Sequence, residues 1–341
     1  MLNVEKILED LVKFDTVRDK ENKAILDYIE NTLNLMYFKT EKKDKFLIMS
    51  NQDKTPLGFL GHTDTVGFSD NWKHSPFSLT KKDNKIYGLG VCDMKSGIAA
   101  MISAISQIDF KNLPKGIKLY FTYDEEIGFS GIQEILKYEK NFPEMMIIGE
   151  PTNNEIIVGS KGLLEYEISV KGIKVHSSTP EKGKNAIVSA VSLIRELQEF
   201  YEQELKKEQN PNFEIPYMTM NIGKIEGGTA INCVPDFCKF LVDFRTVNKV
   251  AEKNIMHKID FLKQKYNADV RELNHIPMFF NSSEESSKTC NFITEASFLK
   301  NNRIILGAGP ITAHEVNEYV SVNSLYKLVE QYKQMIERIC K

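Results

Sequence analysis

Short apolar runs alternate with amphipathic, helix-length segments along this chain, and that alternation constrains the fold more than any other feature. Strand candidates lie at 46–49, 56–60, 117–123, 145–148 and 303–306, and helices at 4–14, 23–34, 97–108, 131–139 and 321–339. Each helical segment carries apolar residues at i, i+3, i+4 spacing. Such a pattern predicts an α/β layer with a mostly parallel sheet, because helices supply the crossovers that parallel strands require. In the middle the rhythm changes: 164–170 alternates as a strand, 185–206 reads as a long helix, 217–225 and 237–244 as strands, 250–266 as a helix and 268–273 as a strand. That β-α-β-β-α-β order is ferredoxin-like. The strand at 303–306 and the last helix then resume the first pattern, so the middle is expected to be an insertion: residues 1–162 and 277–341 form one domain and 163–276 the other. The polar stretches 206–212 and 281–288 read as solvated loops.

Charge narrows the class of partner. With 44 basic and 47 acidic side chains in 341 residues, the formal net charge is -3, which offers no broad cationic face for nucleic acid or an anionic membrane. The expected ligand is a small molecule. No apolar run is long enough to span a bilayer, and the first residues place Leu2, Ile7, Leu8, Leu11, Val12 and Phe14 at helical spacing among charges, unlike the apolar core of a signal peptide. A cytoplasmic protein is expected. The five scattered cysteines, with no Cys-x-x-Cys pair, read as reduced thiols.

Chemistry-bearing residues follow the apolar strands. Gly58-Phe59-Leu60-Gly61 leads to His62-Thr63-Asp64, Tyr120-Phe121-Thr122-Tyr123 to Asp124-Glu125-Glu126, Ile147-Ile148-Gly149 to Glu150, and Leu306-Gly307-Ala308-Gly309 to His314. Open α/β sheets bind ligands beyond their strands' carboxyl ends, so these groups are expected to converge. Asp93, in the glycine-containing loop Gly88-Leu89-Gly90-Val91-Cys92-Asp93, adds a further acid before a helix. Two imidazoles and three carboxylates suit a pair of zinc-like ions if Asp93 bridges, each ion taking one His, one Glu and one Asp93 oxygen. Without metal, the same acids would repel one another. Glu125 and Glu126, if extended, point to opposite sides, so one can ligate while the other serves as general base. Asp64 is placed to hold the second nitrogen of His62. Taken singly, the acid pair would be a solvated turn and Asp93 a helix cap; five placements at strand ends argue for the site. His74, His257 and His275 lack that context, and Cys92 reads as a packing residue.

Gly61-His62-Thr63-Asp64-Thr65-Val66, Gly90-Val91-Cys92-Asp93-Met94-Lys95, Asp124-Glu125-Glu126, Ile148-Gly149-Glu150-Pro151-Thr152 and His314 resemble, in order, the motifs of the dinuclear zinc family of aminoacylases, carboxypeptidases and desuccinylases. Within it, Tyr87-Gly88-Leu89-Gly90, Ile215-Pro216-Tyr217, the 221–228 segment, Thr294-Glu295-Ala296-Ser297-Phe298 and Asn317-Glu318-Tyr319 are most similar to the bacterial N-acetylornithine deacetylase branch. The succinyl-diaminopimelate desuccinylase branch comes second, because its usual Gly-Thr-Ser-Asp-Gly-Arg-like segment is replaced here by Thr294-Glu295-Ala296. The resemblance implies a zinc catalytic domain interrupted by a ferredoxin-like lid that forms a homodimer, and two divalent ions, zinc with cobalt able to substitute. It assigns His62, Asp93 and Glu150 to one ion and Asp93, Glu126 and His314 to the other. It implies that Glu125 is the acid/base, that His176 of the lid stabilises the oxyanion in the partner's active site, and that Asn232 and Arg245 hold the substrate's backbone and carboxylate. A strand-surface ion pair is the ordinary alternative for Arg245. The implied reaction is metal-dependent hydrolysis of an N-acyl amino acid, N-acetylornithine above others, in arginine synthesis. A dipeptidase or aminopeptidase is the rival from the same chemistry. A metal-retaining, non-catalytic binding protein is the rival from another class, and it would have no need of Glu125.

Overall fold

The computed structural model describes residues 1–18, 20–281 and 286–341; part of the polar stretch expected as a loop at 281–288 lies outside them. The chain divides into two compact units. One comprises Met1–Val158, Asn281–Ser287 and Thr294–Lys341, the other Gly159–Phe280 and Lys288–Ile293. No helix among the described residues is long and apolar enough to cross a membrane.

A six-stranded sheet organises the first unit, in the order Lys39–Lys43, Phe46–Ser50, Ile117–Thr122, Leu57–His62, Met145–Ile148, Asn302–Ile305. Its last four strands are mutually parallel. Their register aligns His62 with Thr122, Leu60 with Ile148, and Ile148 with Ile305, so all four carboxyl ends lie at one edge. The strand Leu57–His62 is buried throughout, which is why it reads as a continuous apolar run. Each fully buried large aliphatic side chain contributes roughly 1.5–3 kcal/mol. The helix Ser96–Ile105 is buried along its whole length and contacts the helices Val4–Val12 and Val322–Ile339. Gly97 at its start lies so close to Gly149 that a Cβ would stand 2.3 Å from that residue's carbonyl oxygen. This approach seats the chain following Asp93 on the strand end that carries Glu150.

Two elements depart from expectation. Lys39–Lys43 forms an edge strand although its residues are mostly charged; backbone pairing with Phe46–Ser50 places it there, and charges suit an exposed edge. A three-stranded sheet of Thr80–Lys82, Lys85–Tyr87 and Tyr319–Ser321 joins distant parts of the chain through strands too short to show periodicity.

The second unit holds an antiparallel four-stranded sheet in the order Thr219–Gly227, Phe237–Thr246, Gly162–Lys171, Ala268–Ile276. Burial alternates residue by residue along Phe237–Thr246. Its buried face, including Phe240, Val242 and Phe244, shares one core with Ala190, Leu193 and Leu197 of the helix Ala186–Gln203 and Ile255, Ile259 and Leu262 of the helix Lys249–Tyr266. Asn185 and Asn248 cap those helices, their side chains accepting hydrogen bonds from Val188 and Ala251 N–H. The fold is therefore α/β, with a parallel-rich sheet in one unit and a ferredoxin-like antiparallel sheet in the unit inserted into it.

Candidate metal centre

His62 ends its strand with only 1% of its surface exposed. Its Nδ1 lies 3.0 Å from the Asp64 carbonyl oxygen and 3.5 Å from the Asp64 carboxylate. Its Nε2 lies 3.1 Å from Asp93 Oδ1 and 3.5 Å from Glu150 Oε1, so with Nδ1 turned to Asp64 it is Nε2 that a cation among these carboxylates would meet. Asp93 sits in the turn Val91–Lys95, and its other oxygen, Oδ2, is 3.4 Å from Nε2 of His314. Both carboxylate oxygens of Glu126 stand 3.2 Å from that same nitrogen. The His314 loop is closed by Thr312, whose Oγ1 accepts from Tyr319 N–H at 3.0 Å and donates to the Tyr319 carbonyl at 2.7 Å.

The expectation that Glu125 and Glu126 lie on extended chain is corrected. Asp124 takes a left-handed φ of 68° and Glu125–Gly128 forms a single helical turn, where neighbouring side chains diverge by about 100°. Lys45 secures the turn, donating to Asp124 at 2.6 Å and to Ser130 Oγ at 2.7 Å, while Asp64 Oδ2 accepts from Glu126 N–H at 3.1 Å. The two acids are still separated in role: Glu126 joins Asp93 and His314, and Glu125 belongs to neither donor group.

Two groups of donors, His62–Asp93–Glu150 and Asp93–Glu126–His314, each bring one atom per residue within 4.8 Å of the others. Donors bound tetrahedrally at about 2.0–2.1 Å stand about 3.3 Å apart, so contacts of 3.1 to 3.5 Å have the separation an ion would need. Glu150 Oε1 is buried with no hydrogen bond, an arrangement that leaves a lone pair for a cation. The electrostatics agree. Burial, with Asp93 next to it, pushes the Glu150 carboxyl up to about 8, and burial among Glu150, Asp93 and Glu126 raises Glu125 well above its ordinary range. Burial would lower the His62 pKa, but the surrounding carboxylates outweigh it and raise it. Hydrogen bonds to Asp93 and Glu126 raise His314 to about 10. Burial would raise Asp93, yet the two imidazoles hold it below the usual carboxylate range. In the absence of metal, protons on imidazole and carboxylate supply the positive charge that this nest of acids demands.

In the second unit His176 is exposed, its Nδ1 2.8 Å from Ser178 Oγ. It forms a bridge with Cys233, and the Asn232 carbonyl accepts from Ser177 N–H at 3.0 Å, so His176 and Asn232 are brought together. Arg245 lies on the strand Phe237–Thr246 and makes a two-pronged ion pair with Asp243 at 3.1 and 3.0 Å. The His74 ring lies tilted beside that of Tyr87, centroids 4.4 Å apart, and His275 contacts Glu252 at 2.5 Å. Burial pushes the Cys92 thiol up to about 12, which fits a packed, neutral sulfur.

Two buried acids near the site have no counterpart among the expected residues. Glu295 is fully buried, neither carboxylate oxygen has a hydrogen bond, and burial raises it to about 7. Glu318 is 2% exposed and accepts three backbone N–H bonds. The deacetylase-like motifs Thr294-Glu295-Ala296 and Asn317-Glu318-Tyr319 contained both, and an acid inside such a motif was the available signal.

The sequence matches Peptidase family M20/M25/M40 over residues 58–338. The acetylornithine deacetylase of Pasteurella multocida (strain Pm70) is 31% identical over 353 residues, covering 94% of this chain and 92% of that protein. Among solved structures, a tripeptidase from Staphylococcus aureus superposes with a TM-score of 0.81 at 21% identity, covering 99% and 98% of the two chains. An M20 family metallo-carboxypeptidase from Sulfolobus solfataricus gives 0.79 at 20% identity over 99% of each chain. At such identities these two structures establish the fold alone. The chain belongs to peptidase family M20/M25/M40. It is a metal-binding hydrolase of amide bonds, and over nearly its full length it is similar to acetylornithine deacetylases.

Proposed function

We propose that the enzyme hydrolyses the amide of an N-acyl amino acid, with N-acetylornithine as the preferred substrate and ornithine and acetate as products, a step of arginine biosynthesis in the cytoplasm. The observation that carries the chemistry is the position of Asp93, one oxygen facing His62 and the other His314, with Glu125 left out of both donor groups. The substrate rests on the full-length likeness to acetylornithine deacetylases.

In this reading His62, Asp93 and Glu150 hold one divalent ion, and Asp93, Glu126 and His314 the other; zinc is the proposed metal, with cobalt able to replace it. The ions supply Lewis acidity towards the acyl carbonyl and lower the pKa of a water molecule to near 7. Glu125 removes a proton from the attacking water and returns it to the leaving amine, which lets the nitrogen depart as a neutral group. Asp64 keeps the His62 ring oriented through Nδ1. His176 stabilises the oxyanion of the tetrahedral intermediate, a contribution of roughly 3 kcal/mol for one well-placed donor. The second unit acts as a lid, dimerising with its copy, and its Asn232 and Arg245 hold the substrate's backbone and carboxylate. Arg245 would have to exchange its Asp243 partner for the substrate's carboxylate, a trade between two bidentate ion pairs.

The test is a panel of N-acetylornithine, N-succinyl-diaminopimelate, other N-acyl amino acids, dipeptides and tripeptides, assayed with zinc, with cobalt and with chelator. N-acetylornithine should have the highest kcat/KM. A peptide turned over faster would replace the deacetylase reading with a peptidase.

A further inference from the structure

We infer that Glu318 is a positioning residue that ties the loop bearing Asp93 to the loop bearing His314 and thereby sets the spacing at which two ions are held. This rests on the two-ion reading above and adds to it the element that maintains the site's geometry.

The two loops are distant in the chain, Gly90 and Glu318 standing 228 residues apart, and one carboxylate reaches from the second loop to the first. Glu318 Oε2 accepts from Gly90 N–H at 2.9 Å, and Oε1 accepts from Cys92 N–H at 2.6 Å and from Asp93 N–H at 2.9 Å. Only an acceptor with two oxygens and no donor suits this concave backbone. Glutamine would turn an NH2 group towards at least one of the N–H donors. Gly90 has a φ of 76°, the left-handed conformation that lets its amide join the other two around the carboxylate.

Glu318 is four residues beyond His314, in the loop that Thr312 closes onto Tyr319. His314 itself has a φ of 64°, unusual for a residue with a side chain, and must be held there by its surroundings. Cys92 makes a second tie between the loops: its Sγ accepts from Thr312 N–H at 3.3 Å and faces the Pro310 carbonyl at 3.4 Å. His314 and Asp93 are therefore presented to each other by a buried clasp, in which the Glu318 carboxyl accepts three backbone N–H bonds. Supporting partners of this type change metal affinity by about 10- to 100-fold in other sites.

Metal-free native protein, Glu318→Gln and Glu318→Asp are titrated with zinc against a chromophoric chelator, with apoprotein melting and steady-state kinetics on N-acetylornithine measured in parallel. Native protein should take two ions. Glu318→Gln should lose about 10-fold or more in affinity for at least one ion, with a lower kcat and a KM within about twofold of native. Glu318→Asp, which keeps the carboxyl, should recover part of the affinity. A folded Glu318→Gln protein that binds both ions as tightly as native overturns the inference and leaves the two-ion reading standing. Failure of the native protein to bind two ions overturns both. Should neither variant fold, amide exchange in the native protein decides: Gly90, Cys92 and Asp93 should be protected with and without zinc, and exchange at the rate of open loops would refute the clasp.

Discussion

The two halves of the candidate metal centre are built differently. His62 and Glu150 are 1% and 3% exposed at the ends of strands whose register the sheet dictates. The His314 side chain is 54% exposed on a loop, and Glu126 stands on a one-turn helix. One half inherits its geometry from the core, so displacing it would require moving buried strands. The other depends on a few hydrogen bonds between loops. This contrast predicts two ions of unequal affinity, with the tighter one beside His62.

The largest effect concerns the residue outside both halves. Glu125→Gln should lower kcat by about 1,000-fold or more while both ions remain bound, as read by kinetics and metal content. Near-native turnover with both metals present would remove Glu125 from the acid/base role. Next, His62→Ala and His314→Ala separate the halves directly. His62→Ala should weaken the tighter ion by more than the roughly 100-fold that loss of a mere supporting partner can cost. His314→Ala should retain that ion and lose the second. Equal losses in the two variants, measured by calorimetric titration, would dissolve the comparison.

Stability against pH examines the buried half. Glu295 has a folded pKa of about 7, above its ordinary 4.5, because burial disfavours its charged form. The folded metal-free protein keeps this proton where the unfolded chain has released it, so this contribution is present below about pH 4.5 and is lost as pH rises through 7. Glu295→Gln should therefore gain about 2 kcal/mol relative to native between pH 5 and pH 7 in denaturant unfolding with chelator present. A difference independent of pH would contradict it. The smallest effect is that of Asp64→Asn, which should weaken the buried ion by about 10-fold through a less firmly held His62 ring. Unchanged affinity would leave the Asp64 backbone carbonyl, 3.0 Å from Nδ1, as the sole support of the ring.

The same contrast explains what could be read from sequence. Strands such as Leu57–His62 were legible because burial on both faces demands a continuous apolar run, and the residues ending those runs fall at one sheet edge. The edge strand Lys39–Lys43 was not, since its pairing is made by backbone groups that carry no residue identity. Nor was the helical turn at Glu125–Gly128, whose direction is set by Asp124 and Lys45, the latter 79 residues distant in sequence. Glu318 lay within a recognisable motif, yet its task was invisible because all three of its donors are main-chain amides.

The most direct test of the account is acetate and ornithine release from N-acetylornithine by protein stripped with chelator and then titrated with zinc. Activity should be absent at the start, return as metal is added, reach its plateau near two ions per chain and yield the two products in equal amounts. Chelator-insensitive release, or no hydrolysis of this or any other N-acyl amino acid at full metal loading, would contradict it.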